Sequence, residues 1–595
     1  MSETKIIPTT GRNNCGGRCI IYAHVCDGVI EKLSTETKGT PEHPVPLCAC
    51  AKGLNYHKTF LGEDRLRWPM KRVGERGEGK FARISWEEAL DILTSEYIRI
   101  RDTYGPGSRY VNDGCGISAV MRGDRMMQRL LALDGGYLGC YNSYSSACIR
   151  NATDITYGTS ETGTHPSDWL NSHLIILWGH NPAETKFDSS TMFYLKKAKA
   201  AGIPIIVIDP RKNDTAVALN AQWIPIRPAT DSALADAMAY VIIKEGLQDQ
   251  EFLDKCCLGF DAAHMPEGAD PSLNCLSYLM GETDSIPKTP EWGEKITGIP
   301  ADTIRELAIR YATTKPAAII QGYGAQRNAY GEQSARGAIL LACLTGNVGI
   351  SGGSAAGAGD CSTHELPGFP VLDNPYNRAL PVFLWTDAVD HGKGMNEYDG
   401  IRTCDQGIFD DPKDITLASN TLVNQHGDIN RTAKLLKDTS KCEFIVCSDL
   451  FMTASAKFAD LLLPGVSMFE EENITKPWKF TEFLGFNNKV IEPLYECKTE
   501  YEWIRELAKR IDLEEEFTEG RDYSQWMRYI YDDLRTREPE LPEYDEFREK
   551  GIYKFEEGHY PISFEKEVKD PEHHPFPTPS GKIELFSTKL WKTPM

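Results

Sequence analysis

The sequence predicts a multidomain α/β protein with doubly wound parallel sheets, preceded by a small, cysteine-rich N-terminal domain. Three observations carry this. Short apolar runs stop abruptly at Gly, Asp or Gln; helical apolar patterns separate those runs; and Cys15, Cys19, Cys26, Cys48 and Cys50 put five of the 17 cysteines in the first 50 residues. At ~150 residues per domain, 595 residues make roughly four domains. A chain of this size buries a large core without help from disulfides.

Taken in order, residues 1–60 are rich in Gly, Cys and Pro and lack helical periodicity. That pattern suits a domain organised around something other than an apolar core. An odd number of cysteines, thinly spread over the rest of a long chain, reads as thiols and metal ligands in a reducing compartment. Cys15-x3-Cys19 with Cys50 can hold an iron–sulfur cluster or zinc, and reads equally well as a set of buried free thiols. The first clear helix starts at Ser85. Ser85-Trp86-Glu87-Glu88 has the form of a capping box, and Ala89, Leu90, Leu93, Tyr97 and Ile100 fall on one face. The hydroxyl-rich stretch Tyr141-Asn142-Ser143-Tyr144-Ser145-Ser146 reads by itself as a loop with local hydrogen bonds.

The middle of the chain alternates strands with helices. Leu174-Ile175-Ile176-Leu177-Trp178, Ile205-Ile206-Val207-Ile208 and Ala317-Ala318-Ile319-Ile320 are short buried runs. Leu234, Met238, Val241 and Ile242, then Ile304, Leu307, Ala308 and Tyr311, mark helical faces between the last two. The alternation predicts a parallel sheet covered on both faces. Phe444-Ile445-Val446-Cys447 predicts a similar strand farther on. Residues 534–550 are charged and contain Pro, and read as a solvated surface segment.

Ligands of such sheets bind beyond the carboxyl ends of the strands. Four turns are assigned there: Gly179-His180-Asn181-Pro182, Asp209-Pro210-Arg211, Gly322-Tyr323-Gly324-Ala325-Gln326-Arg327 and Gly346-Asn347-Val348-Gly349. Gly admits backbone N–H groups to a phosphate, and Arg offers a fork for its oxygens. Any one of these alone is an ordinary turn; four together point to a dinucleotide-like ligand. No GxGxxG follows the first strand, which argues against a simple NAD-binding domain.

Charge and hydropathy exclude other classes. With Lys+Arg 65 and Asp+Glu 86 the net charge is −21, wrong for a chain that wraps nucleic acid. No apolar run approaches the ~18 residues of a membrane-spanning helix. The first ten residues carry one Lys and no twin Arg or apolar stretch, so cytoplasmic residence is expected unless a partner bears an export signal.

Longer motifs add a resemblance. They are Trp68-Pro69-Met70-Lys71-Arg72-Val73-Gly74, Arg83-Ile84-Ser85-Trp86-Glu87-Glu88, Trp178-Gly179-His180-Asn181-Pro182-Ala183-Glu184-Thr185, Asn424-Gln425-His426 with Ile429-Asn430-Arg431-Thr432, Ala459-Asp460-Leu461-Leu462-Leu463-Pro464, and Thr578-Pro579-Ser580-Gly581-Lys582-Ile583-Glu584. In this order, over nearly the whole chain, the sequence resembles the molybdopterin oxidoreductases of the dimethyl sulfoxide reductase family.

The resemblance implies an iron–sulfur domain at 1–60, a discontinuous α/β domain at 61–165 plus 360–595, and a Rossmann-like dinucleotide-binding domain at 166–359. The chain stops eight residues after Ser587, so the family's C-terminal β-barrel is expected to be absent. The implied cofactors are molybdenum (or tungsten) held by two molybdopterin guanine dinucleotides, and a [4Fe–4S] cluster. Tyr144-Ser145-Ser146 matches the motif that supplies the metal ligand, which makes Ser145 that ligand. Trp178, Gly179, Asn181, Asp209, Arg211, Asp231, Gly322, Gln326, Arg327, Asn424, Gln425 and His426 fall at cofactor-contact positions. The carboxylate of Asp231 suits the two N–H donors on one edge of guanine. Cys15, Cys19 and Cys50 match three of the four cluster cysteines, with Lys52 as the basic residue between cluster and pterin. The first cysteine falls at Gly11, or at Arg12 under a tighter spacing; Cys26 and Cys48 are spare thiols. Asp113 stands where relatives place a pocket Tyr. It is either a proton donor, if burial raises its pKa, or a surface carboxylate in a shifted loop.

The activity so implied is reduction of an S- or N-oxide by oxygen-atom transfer, with electrons delivered through the cluster. An iron–sulfur electron-transfer subunit and a membrane-anchor subunit are the implied partners. The alternatives are a non-redox hydratase on the same scaffold, with Asp113 as acid, and an inactive fragment.

Overall fold

The computed structural model describes residues 4–11, 15–112, 119–402, 414–417 (backbone), 426–556, 558 and 560–592. Arg12, Asp113, Asn424 and Gln425 lie outside them. By contact density the chain forms two units: Met1–Tyr144 with His364–Trp478 and Glu482–Glu556, and Ser145–Thr363 with Lys479–Thr481 and Glu557–Met595.

In the first unit, strands Lys5–Thr10, Ile20–Cys26 and Val29–Ser34 form an antiparallel sheet in chain order. Asp27 and Gly28, both at positive φ, make the two-residue turn that joins the last two. Alternate residues Ile21, Ala23 and Val25 point to one side, where they meet Leu33, Phe60, Met468, Phe469, Val490 and Ile491. The N-terminal region therefore does have an apolar core. The expectation of none fails because strand alternation, not helical periodicity, carries the pattern, and half of the core comes from a distant segment.

The larger sheet of this unit has six strands, in the order Phe81–Arg83, Met70–Arg72, Leu461–Pro464, Phe444–Asp449, Asp414–Leu417, Arg109–Asn112. The last four are parallel, and the first two run antiparallel at the edge. The helix Trp86–Tyr104 packs its Ala89, Leu90, Leu93, Tyr97 and Ile100 face into the core over this sheet. Ser85 Oγ accepts the Glu88 N–H at 3.1 Å, whereas the Glu88 carboxylate turns to Lys71 at 2.6 Å, so half of the capping box forms. Residues 534–550 are not merely solvated surface. Helices Tyr523–Arg537 and Tyr544–Lys550 bury Leu534, Leu541, Tyr544 and Phe547 in the same core, behind their charged faces.

The second unit is built on a four-stranded parallel sheet, ordered Gln222–Ile224, Ile205–Ile208, Leu174–Trp178, Ala317–Gln321. Every residue of the two inner strands is buried, as two covered faces require. After Leu174–Trp178 the chain moves to one side to Ile205–Ile208 and returns on the other as Ala317–Gln321. The switch point therefore lies between Trp178 and Gln321, where a ligand crevice opens in such sheets. Gly346-Asn347-Val348-Gly349 is not at this edge. It follows the helix Gly331–Leu344, and Asn347 Oδ1 accepts the N–H of Ala317 at 2.9 Å, at the amino end of that strand.

Candidate functional site

At the switch point the two strand-end loops touch each other. Gly322 N–H donates to the Trp178 carbonyl and Gly179 N–H to the Ile208 carbonyl, each at 2.9 Å. A Cβ on Gly322 would lie 2.1 Å from the Gly179 oxygen, and Gly179 sits at φ +56. Both glycines are thus required by loop crossing, whatever binds above them. The Trp178 indole donates to Asp231 Oδ1 at 2.8 Å in a buried pair. Burial pushes the Asp231 carboxyl up, and the indole bond pulls it back. With Oδ1 so engaged, a two-donor ligand edge has to share that oxygen.

Asn181 is also engaged. Its Oδ1 accepts the N–H of Thr215 at 3.1 Å and the hydroxyl at 2.8 Å, and its Nδ2 donates to Glu184 at 3.0 Å. It fastens the first loop to the helix Asp214–Ala218. Asp209 accepts from the Arg211 N–H and from Asn213 Nδ2, both at 3.0 Å. Arg211 itself is exposed and pairs with Glu184 at 2.8 Å, a surface pair of small worth.

Ser145 meets two of the residues assigned with it. Gln326 Nε2 donates to the Ser145 carbonyl at 2.9 Å and to the Tyr323 carbonyl at 3.1 Å, while its Oε1 accepts the Ile149 N–H at 3.3 Å. Arg327 Nε reaches the same Ser145 carbonyl at 3.2 Å, and its Nη2 lies 3.4 Å from Ser145 Oγ. Ser146 is the N-cap of helix Ala147–Tyr157, so Ser145 stands just beyond a helix N-terminus. A guanidinium and a helix N-terminus both favour negative charge on an oxygen placed there. The hydroxyl is accordingly a fit for a high-valent metal ion, which binds the alkoxide form.

Two groups at this edge escape the sequence reading as site residues. His180 and Lys479 line a cavity of about 50 Å³ with Phe187, Gln321 and Thr162. Burial, then the Lys479 charge, pushes His180 down to about 3, so its ring is neutral. Lys479 lies 3.6 Å from Asp360, which pairs with Arg150 at 3.0 Å, and its ammonium faces the rings of Tyr323 and Phe187 at 5.1 and 5.4 Å. His180 stands inside one of the assigned strand-end turns without being singled out there, and Lys479 arrives from a segment three residues long that no local pattern marks.

In the first unit, Cys15 and Cys19 are half-buried and Cys50 is exposed. Burial pushes the Cys19 thiol up to about 12; negative charge on Cys15 and Cys50 adds to this, and the amides of Cys19 and Gly11 oppose it. The three thiols therefore share one electrostatic neighbourhood. A thiol so hard to ionise alone fits a cationic metal centre that compensates the charge. Lys52 is exposed, near the start of helix Ala51–Thr59. His426 lies with Tyr144: its Nδ1 is 3.1 Å from the phenol oxygen, which also takes the Trp385 indole N–H at 3.0 Å. His426 Nε2 meets Thr386 Oγ1 at 2.9 Å. Burial pushes Tyr144 up to about 12 and His426 down, so both are neutral near pH 7.

Comparison with known proteins supports the sequence motifs. Residues 65–510 match the model of the family described as molybdopterin oxidoreductase. Dimethyl sulfoxide reductase DmsA of Escherichia coli (strain K12) is 42% identical over 607 residues, covering 99% of this chain and 74% of the relative. Trimethylamine-N-oxide reductase of Haemophilus influenzae is 30% identical over 589 residues, covering 90% and 68%. Among solved structures, acetylene hydratase from Pelobacter acetylenicus superposes with a TM-score of 0.69 at 25% identity, covering 98% of this chain and 78% of that one.

Proposed function

The chain belongs to the molybdopterin oxidoreductase family, and from that premise we propose that it reduces an S- or N-oxide by oxygen-atom transfer. It is an oxidoreductase that uses a molybdopterin-bound molybdenum centre. We further infer that the pterin is in its bis(guanine dinucleotide) form and that Cys15, Cys19 and Cys50 hold an iron–sulfur cluster. The observation that carries the reading is Ser145, whose carbonyl is held by both Gln326 and Arg327 and whose hydroxyl lies 3.4 Å from the guanidinium.

When bound, the metal centre supplies two-electron oxygen-atom chemistry; the rest falls to the chain. Ser145 would be the protein ligand, its charge favoured by Arg327 and the helix N-terminus. Gln326 fixes the backbone of that ligand. Trp178 holds the Asp231 carboxylate through its indole N–H. Lys52, near the start of the helix that Cys50 caps, would offset negative charge on the cluster. An electron-transfer subunit and a membrane anchor are the partners we propose. Among the described residues no helix is long and apolar enough to cross a membrane.

Anaerobically purified protein should oxidise a reduced dye with dimethyl sulfoxide or trimethylamine N-oxide as acceptor. Ser145→Ala should lower that turnover at least ~100-fold. Its carbonyl bonds survive the substitution, so the unfolding transition should stay in place. Dye oxidation by neither acceptor, with hydration of acetylene instead, would favour the hydratase reading of the same scaffold.

A further inference from the structure

We infer that the proposed cluster, on whose presence this inference rests, is held by three thiolates only, Cys15, Cys19 and Cys50. One iron would then lack a cysteine, since Gly11 offers no ligand atom. That iron should leave on mild oxidation.

The hairpin register makes the first argument. Thr10 pairs with Ile20, and Gly11 N–H donates to the Cys19 carbonyl at 2.8 Å, so Gly11 stands directly across from Cys19. A Cβ at position 11 would lie 2.7 Å from Cys19 Sγ. The position therefore points at the thiol group, and glycine offers no ligand atom there.

The loop that carries the other ligands is pinned. Arg18, fully buried, donates from Nη1 to the Cys15 carbonyl at 2.7 Å, and Trp478 N–H donates to the Gly16 carbonyl at 3.2 Å. Gly53, in the helix that Cys50 caps, would place a Cβ 3.7 Å from Cys19 Sγ. That helix start thus lies beside the same thiol.

The spare thiols are poor substitutes. Cys26 pairs with Val29 at the far end of the Ile20–Cys26 strand. At ~3.3 Å per residue that is about 20 Å from Ile20, beyond reach without unpairing the sheet. Cys48, exposed as Cys50 is, stands between Leu47 and Ala49. Its neighbours are tied down: the Leu47 carbonyl accepts the Ile20 N–H at 3.2 Å, and Thr35 Oγ1 accepts the Ala49 N–H at 2.8 Å.

On oxidation, a four-iron core at the 2+ level loses one electron to added ferricyanide and then releases Fe2+. A three-iron core at the 1+ level remains, with all four sulfides. No proton or protein bond is consumed, because the departing iron has no cysteine to release.

The test uses the full chain purified without oxygen, with iron and sulfide analysis and EPR before and after one equivalent of ferricyanide. We expect loss of about one iron in four, unchanged sulfide and the EPR signal of a three-iron cluster. Ferrous ion with dithionite should reverse all three. Cys48→Ser should behave like the parent. Parent protein that keeps all its iron through oxidation would overturn the inference alone, as would Cys48→Ser protein that loses an iron the parent keeps. Protein that takes up no iron at all would overturn the cluster reading with it.

Discussion

The Ser145 corner of the second unit and the thiol corner of the first are built on opposite plans. Around Ser145 the amide of Gln326 has both its ends bonded, Asn181 has both of its, and Trp178 is locked to Asp231. Bonds within the protein hold that geometry, which is how a precise binding site is kept in shape. At the thiol corner only the backbone is fastened, by the hairpin and by Arg18. The thiols themselves are half-buried or exposed, and Cys19 resists ionisation. There a bound metal would supply the order of the thiols, as it does in metal-bound small domains. The contrast predicts that substitutions at the thiols will cost binding without stability, and that substitutions of the residues that hold Ser145 in place will cost stability together with function.

The largest effect expected is at Cys50. Cys50→Ala should abolish the visible iron–sulfur absorbance and nearly all bound iron. The metal-free fold should barely notice, because Cys50 is exposed and its side chain makes no cap bond to the helix it precedes. A change within ~0.5 kcal/mol is expected for such a surface site. If metal-free Cys50→Ala protein instead unfolds far more readily, the thiol corner is pre-organised too and the contrast fails.

Gln326→Ala probes the other plan. It strands the Ile149 N–H and removes donors from two carbonyls in a site only 3% exposed. A cost of about 2–3 kcal/mol is expected from the unsatisfied groups. Denaturant unfolding should show it, and turnover should fall as Ser145 loses its backbone support. Lost turnover with unchanged stability would mean that Gln326 acts on ligand alone.

The two corners are not equally legible in the sequence. Strands such as Leu174–Trp178 and Ile205–Ile208 are readable because full burial leaves unbroken apolar runs, and the turns after them follow from the same rule. The meeting of Ser145 with Gln326 and Arg327 comes from motif resemblance; nothing in the spacing of residues 145 and 326 foretells it. The motif assigns Asn181 to ligand contact; the bonds of its side chain to Thr215 and Glu184 are a further role that tertiary packing sets and no local pattern foretells. Lys479 escapes notice because a buried charge is recognisable only from its partners, here Asp360, Tyr323 and Phe187. The core hidden in 534–550 does so because charge masks apolar residues at helical spacing.

His180 offers a pH test of the pre-organised unit. Its folded pKa, about 3, lies below the ordinary imidazole value of 6.5. The unfolded chain therefore binds the extra proton first, and stability is lost as pH falls from about 6.5 toward 3. By pH ~5 the loss from this one group is about 2 kcal/mol. His180→Gln should flatten the pH dependence over that window, whatever its cost at neutral pH. Parallel stability–pH curves for the two proteins would show that His180 is solvated and that the cavity is open to protons.

The smallest effect is expected one residue from the proposed ligand. Ser146 is buried and occupies an N-cap, where losing a hydroxyl ordinarily costs about 1 kcal/mol. Its backbone, at φ −147 and ψ 13, is not extended, and its side chain makes no cap bond. Ser146→Ala should therefore cost less than ~0.5 kcal/mol, below the ordinary capping term. Turnover should stay within about two-fold of the parent, since the Ser146 carbonyl still receives the Arg150 N–H at 3.0 Å and keeps the helix start in place. Set beside Ser145→Ala, this isolates one hydroxyl from its neighbour on the same turn. Equal loss of turnover in both would mean that the helix start as a whole, rather than the Ser145 oxygen, is what the reaction needs.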